Sequence, residues 1–198
     1  MANFTRIGFG QVEPNHLSAQ RTAQIYAQLP AAADIEVLEN GQFVKYDYAH
    51  MDENGNHSPE CNFDGDGQWM MVFNEVKLYD DFWRESYKDF AMQKKNYTPG
   101  TDAIAHRGLG PFRGQMTPRV IKINIGDIWT TNALFRGNTS GNAVVSEGQD
   151  LNDLVGQPFV VNAEGFLEPG NGDNFVMQLV KAYTMADGQP AGKFMRIK

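Results

Sequence analysis

Apolar and polar residues alternate along this chain in short bursts, most of them too brief for a helix. In 116-MTPRVIKINIGDIWTTNALF-135, Ile121, Ile123 and Ile125 fall on one side while Lys122 and Asn124 fall on the other. A period of two marks a half-buried strand. Gly126-Asp127 interrupts the pattern, and 128-IWTT-131 resumes it. Strands are expected over 118–125 and 128–134, with the three isoleucines as a buried face and Gly126-Asp127 as a bulge or corner. In 35-IEVLENGQFVKYDY-48, two apolar runs flank Asn40-Gly41. That pair suits a two-residue hairpin turn with positive φ at both positions. Residues 69-WMMVFNEVKLY-79 are apolar at both parities, which predicts a strand buried on both faces. Two more hairpins are expected: 157–170 around Ala163-Glu164-Gly165, and 174–198 turning at Asp187-Gly188 or the Gln-Pro that follows.

Two segments read as helical. Residues 17–29 hold good helix formers, with Ser18 as N-cap and Pro30 as terminator. In 79–93, Tyr79, Phe82, Trp83, Tyr87, Phe90 and Ala91 recur at spacings of three and four, which predicts one aromatic stripe. Residues 1–16 read as an extended arm, 50–67 as an exposed loop, 97–115 as a connecting loop and 136–154 as a polar excursion. The expected fold is mainly β, α+β overall. Residues 1–115 carry the arm and a hairpin/helix region, and 116–198 form a small antiparallel β-barrel or sandwich.

Composition narrows the function. Twenty glycines beside 13 phenylalanines and seven tyrosines suit short strands and tight turns. The net charge of -7 argues against a general nucleic-acid binder, which needs a Lys/Arg surplus. Cys61 is the single cysteine, so an intramolecular disulfide and a multi-thiolate zinc site are ruled out. The first residues lack a basic and then apolar secretory signal, and no run nears the ~18 apolar residues of a membrane span. The chain is expected to be made in the cytosol, without a membrane partner.

No motif names a chemistry. Calcium-loop spacing fails from Asp52, where Gly is replaced by His57, and from Asp64, where it is replaced by Trp69. His16, His50, His57 and His106 do not combine with Cys61 at zinc spacing. Glu60 and Asp64 beside Cys61 oppose a reactive thiolate. The loop carrying Arg107 and Arg113 has glycines but no Walker or dinucleotide pattern. No Gly-x-Ser-x-Gly occurs. Neither an enzyme, a catalytic residue, a metal nor a cofactor is expected. The stripe of Trp83, Tyr87 and Phe90 leaves a carbohydrate-binding module as one alternative.

Three segments carry a resemblance: 22-TAQIYAQLP-30, 69-WMMVFNEVKLYDDFWRESYKDFA-91, and 117-TPRVIKINIGDIWTTN-132 with 179-LVKAYTMADGQPAGKFMRI-197. Together they resemble structural proteins of tailed-bacteriophage heads. The run 156-GQPFVVNAEGFL-167 looks like the strand-turn-strand of small β-barrel capsid decoration (cement, or auxiliary head) proteins. The likeness covers about half of the chain. It implies a virion protein on the capsid surface, assembled in the host cytoplasm, that clamps the major capsid protein lattice. It also implies a homo-oligomer, a trimer being one arrangement at three-fold sites. Residues 1–16, with Phe4, Arg6 and Phe9, are then the expected gripping arm, and the loop of Arg107 and Arg113 a second contact. A tail or connector subunit is the alternative within the virion.

Overall fold

The computed structural model describes residues 8–74, 78–80, 85–87, 90–94, 116–134 and 148–198. The strands in chain order are β1 (Val12–His16), β2 (Ile25–Tyr26), β3 (Val37–Glu39), β4 (Phe43–Asp47), β5 (Glu60–Asn62), β6 (Trp69–Val72), β7 (Leu78–Asp80), β8 (Glu85–Tyr87), β9 (Ala91–Gln93), β10 (Val120–Ile121), β11 (Ile128–Thr131), β12 (Pro158–Val161), β13 (Leu167–Pro169), β14 (Met177–Thr184) and β15 (Pro190–Arg196). One short helix, α1 (Ser18–Arg21), and a 3-10 turn at Leu151–Leu154 complete the described elements. The fold is mainly β, as the short bursts of alternation predict.

Two antiparallel sheets dominate. A six-stranded sheet runs β1-β11-β15-β14-β12-β13, and a five-stranded sheet runs β2-β10-β6-β4-β5. Both are open strand orders; the described pairings do not close a barrel. Each sheet takes strands from both sides of residue 116, the expected domain boundary. Trp129, Phe159, Met177, Leu179, Phe194 and Leu167 line the inner face of the larger sheet. They meet Phe43, Met71 and Ile121 of the smaller one in a single buried cluster. Phe43 and Trp129 touch edge to face, ring centroids 6.2 Å apart.

The smaller sheet is covered on its other face as well. Val44, Tyr46, Met70, Val72 and Val120 pack there against Leu29, Ile35, Leu38, Met92 and Met116. β6 lies between β10 and β4 with apolar cover above and below. This is why 69-WMMV-72 is apolar at both parities, and the expected two-sided burial holds for Met70, Met71 and Val72.

Several local expectations need correction. The turn at Asn40-Gly41 forms, with the Gln42 amide donating to the Glu39 carbonyl at 3.2 Å. Only Gly41 has positive φ (+88°), the pattern of a type II turn rather than the mirror-image hairpin turn. Its flanking strands then part: β3 pairs with β9, and β4 with β5 and β6. The helix expected over 17–29 shrinks to Ser18–Arg21. Ala23 adopts φ +53°, the left-handed region that ends helices, and Ile25–Tyr26 pair with β10 instead. The N-cap is Leu17, not Ser18, and it makes no side-chain cap.

Where 79–93 is described it forms strands rather than the expected helix: β7 pairs with β8, and β9 pairs with β3. Tyrosine and phenylalanine sit well on strands, and local pairing overrides a spacing that fits a helix only by coincidence. The loop over 50–67 is interrupted by β5, which Cys61 anchors in the core. The connection expected over 97–115, and 136–147 of the polar excursion, lie outside the described residues.

Around Gly126-Asp127 the outcome is a crossing between sheets. β10 belongs to the smaller sheet and β11 to the larger. The Asp127 amide donates to the Asn124 carbonyl at 3.0 Å, and Gly126 has φ +88°, another type II pattern. Ile121 and Ile123 are fully buried as expected, but Ile125 is 68% exposed because it occupies the outer corner of this turn.

Both C-terminal hairpins form as expected, in β12–β13 and β14–β15. They share one solution: a three-residue loop ending in a glycine of positive φ, Gly165 (+80°) in one and Gly188 (+86°) in the other. A side chain at Gly165 would have a second problem, because its Cβ would approach the Phe43 carbonyl, which crosses that turn.

Candidate partner interface

A protein that binds neighbours through extended chain and sheet edges should show where those edges lie. The larger sheet ends in β1 and β13, the smaller in β2 and β5. β13 is three residues long and ends in Pro169; β2 is two residues long. β5 is covered: its Cys61 amide donates to the Pro30 carbonyl at 2.8 Å, and the Ala32 amide donates to the Cys61 carbonyl at 2.9 Å. β1 is longer and bears Pro14, which lacks a backbone donor and costs least at an edge. A register shift between Pro14 and His16 adds a bulge. Short edges, prolines and bulges all discourage uncontrolled strand addition. Among the described edges, β1 is the longest and most exposed.

The expected arm enters the fold beside this edge. Of the expected arm, 12–16 form β1, paired with β11, and 1–7 lie outside the described residues. Upstream of it the backbone is clamped. The Gly10 amide donates to Glu39 Oε2 at 2.9 Å, and the Gly10 carbonyl accepts from Phe90. A Cβ at Gly10 would collide with the Asn40 carbonyl, so only glycine passes there. The Gln11 amide donates to Asn132 Oδ1 at 2.7 Å, its carbonyl accepts from Thr131 Oγ1, and its side chain donates to Asp187 Oδ2 at 2.6 Å. Burial would raise the Asp187 pKa, but the bonds from Gln11 and Gln189 outweigh it and hold the carboxyl below its usual range.

Of the five expected contact residues, Phe9 is described: it lies just outside the clamp and is 36% exposed. Phe4, Arg6, Arg107 and Arg113 lie outside the described residues. The same holds for Trp83 of the aromatic stripe.

A second surface was not foreseen as a unit. Asp34, Asp47, Glu60, Asp64 and Asp66 converge with His50, Asn62 and Phe63 on an open cleft of about 560 Å³. Asp52 and Asp64, each tested as the start of a calcium loop, do different work. Asp52 accepts the Asn54 and Asn56 amides, and the Asn56 backbone bond is the main reason its pKa is lowered. Asp64 lines the cleft. Among the described residues no group of three potential ligands is placed to hold a metal ion. His50 Nδ1 stands 3.5 Å from Glu60 Oε1. The cleft's excess of carboxylates favours basic over acidic partner surfaces. Sequence spacing could not find it, because its residues come from four separate segments.

Cys61 is fully buried, and burial pushes its thiol up to about 12, so it is no nucleophile. Tyr26, buried Tyr46 and Tyr48 stack edge to face in series, with centroid separations of 6.0 and 5.9 Å. Tyr48 and Met51 are more than half exposed. No family model matches this chain, and no curated protein or solved structure matches it either.

Proposed function

We propose that this chain is a structural protein of a tailed-bacteriophage virion, a capsid decoration protein that binds and stabilises the major capsid protein lattice. The sequence resemblance motivates the reading. The observation that carries it furthest is the anchoring of the N-terminal segment. Gly10 and Gln11 are tied by four hydrogen bonds to Glu39, Thr131, Asn132 and Asp187, immediately before the edge strand β1. An extended grip transmits force only if its root is fixed, and here the root is tied to β3, to the end of β11 and to the β14–β15 turn. Repetition of such contacts around a symmetric capsid site turns modest affinities into durable attachment. A homo-oligomer, catalysis-free and cofactor-free, follows from the same reading.

The test is retention on heads assembled from the cognate major capsid protein. The full chain is expected to co-sediment with expanded heads. A version lacking residues 1–8, which keeps the Gly10 clamp and β1, is expected to fold and to detach. Undiminished occupancy of the shortened protein overturns the arm. Assembly of the purified protein alone into rings or tubes would instead favour a tail or connector subunit.

A further inference from the structure

The sequence contains three Asn-Gly steps: Asn40-Gly41, Asn54-Gly55 and Asn171-Gly172. Glycine after asparagine leaves the following amide nitrogen unshielded, so it can attack the asparagine side chain. Attack requires a mobile backbone, a free amide side chain and a glycine N–H not held in a hydrogen bond.

The fold separates the three. Asn40 is 3% exposed, its side chain exchanges two hydrogen bonds with the Asn74 backbone, and the Gly41 N–H donates to the Val72 carbonyl at 2.9 Å. Asn54 is exposed, but the Gly55 N–H closes a turn onto the Asp52 carbonyl at 2.9 Å, and Asp52 Oδ1 holds the amides on either side. Asn171 is exposed, in the irregular link between β13 and β14. Among the described residues, neither its side chain nor the Gly172 N–H has a hydrogen-bond partner. Among the described residues the link is pinned at its ends, by the Gly170 amide to the Pro158 carbonyl at 3.0 Å and by Arg196 Nη2 to the Asn174 carbonyl at 3.4 Å. Glycine also fits at 172 for packing, since a Cβ there would stand 3.2 Å from Val160 Cγ1.

We propose that Asn171 is a site of spontaneous, intramolecular modification through a succinimide. The Gly172 nitrogen gives its proton to solvent base and bonds to Asn171 Cγ. The Cγ–Nδ2 bond breaks, and ammonia leaves after taking up a proton. Water then opens the imide at one of its two carbonyls. Opening at one leaves aspartate; opening at the other leaves isoaspartate, with the main chain rerouted through the side chain and lengthened by one methylene. The overall change consumes one water, releases one ammonia, needs no oxidant and adds one negative charge beside Asp173.

The test is peptide mapping by mass spectrometry of the full chain, aged at mildly alkaline pH and physiological temperature, with isoaspartate detected separately. In native protein Asn171 is expected to convert at least ~10-fold faster than Asn40 or Asn54, because those two must first open locally. In concentrated urea the three rates are expected to converge. Asn171→Gln, a change at an exposed position, is expected to remove the dominant product without affecting the fold. Native conversion led by Asn54 or Asn40, equal rates at all three, or no conversion at Asn171 overturns the proposal.

Discussion

Asp127 accepts the backbone amide of Ser18 at 2.9 Å through Oδ1, across 109 positions of sequence. Its Oδ2 accepts the Asn124 amide at 2.8 Å. One carboxylate therefore satisfies an orphan donor at the start of α1 and closes the turn that carries the chain from one sheet to the other. Asp127 is 1% exposed. Arg196, whose guanidinium lies 4.4 Å over the Phe175 ring and donates to the Ile123 carbonyl, brings the last strand to the same junction.

Asp127→Ala is expected to be among the costliest single polar changes. It strands two amides, at a cost of about 3 kcal/mol in total. Urea denaturation checks this, with Asp127→Asn retaining part of the loss because one oxygen remains. Equal stability of Asp127→Ala and the parent would remove the junction from the account.

Glycine substitutions should separate strain from collision. Gly41 and Gly126 share φ +88°. A Cβ at Gly126 meets open space, so Gly126→Ala is expected to cost about 1 kcal/mol through backbone strain. A Cβ at Gly41 would also press on Thr131 Oγ1 and lie 2.8 Å from Ala133 Cβ, and Gly41→Ala is expected to cost about 3 kcal/mol. Thermal melts of the two variants should therefore differ clearly; matching melts contradict the packing described at the Glu39–Gln42 turn.

Alkaline pH should weaken the fold through Cys61. Its thiol titrates near its ordinary 9.0 in the unfolded chain but is pushed up to about 12 by burial. A group whose folded pKa is raised contributes stability that is lost as pH rises, here between about 9 and 12. Tyr46, also raised by burial, acts in the same sense. Denaturation midpoints are expected to fall across that window, and Cys61→Ala to flatten the decline. A thiol reagent should label Cys61 in urea but not in the native protein; prompt native labelling speaks against the buried site.

Acid should loosen the root of the arm. Asp187 has a lowered folded pKa, so its contribution is present above its ordinary 3.8 and is lost as pH falls through the folded value. The gap in urea midpoint between parent and Asp187→Ala is expected to be larger at neutral pH than well below pH 3.8. Gln11→Ala should narrow that gap at neutral pH, since the two side chains bond each other at 2.6 Å. A gap independent of pH would disconnect Asp187 from the latch.

What the sequence determined by itself was local and periodic. The alternation around Ile121 and Ile123, the two-sided apolar run at 69–72 and the glycine turns at 165 and 188 each follow from backbone geometry within a few residues. They survive in the fold at those residues, although Ile125 leaves the expected buried face at the Gly126 turn. The tertiary structure alone decided which strands pair. β3 leaves β4 for β9, and β10 and β11 part into different sheets at Gly126. The described parts of 79–93 are paired strands, and the expected helix at 17–29 stops after one turn where Ala23 turns left-handed. The same holds for function-bearing surface. The acidic cleft and the Gly10–Gln11 anchor join residues from distant segments, and no spacing rule can express them. The physical reason is that a period of two fixes which face of a strand is apolar. The partner on either side is fixed by burial and hydrogen bonding summed over the whole chain.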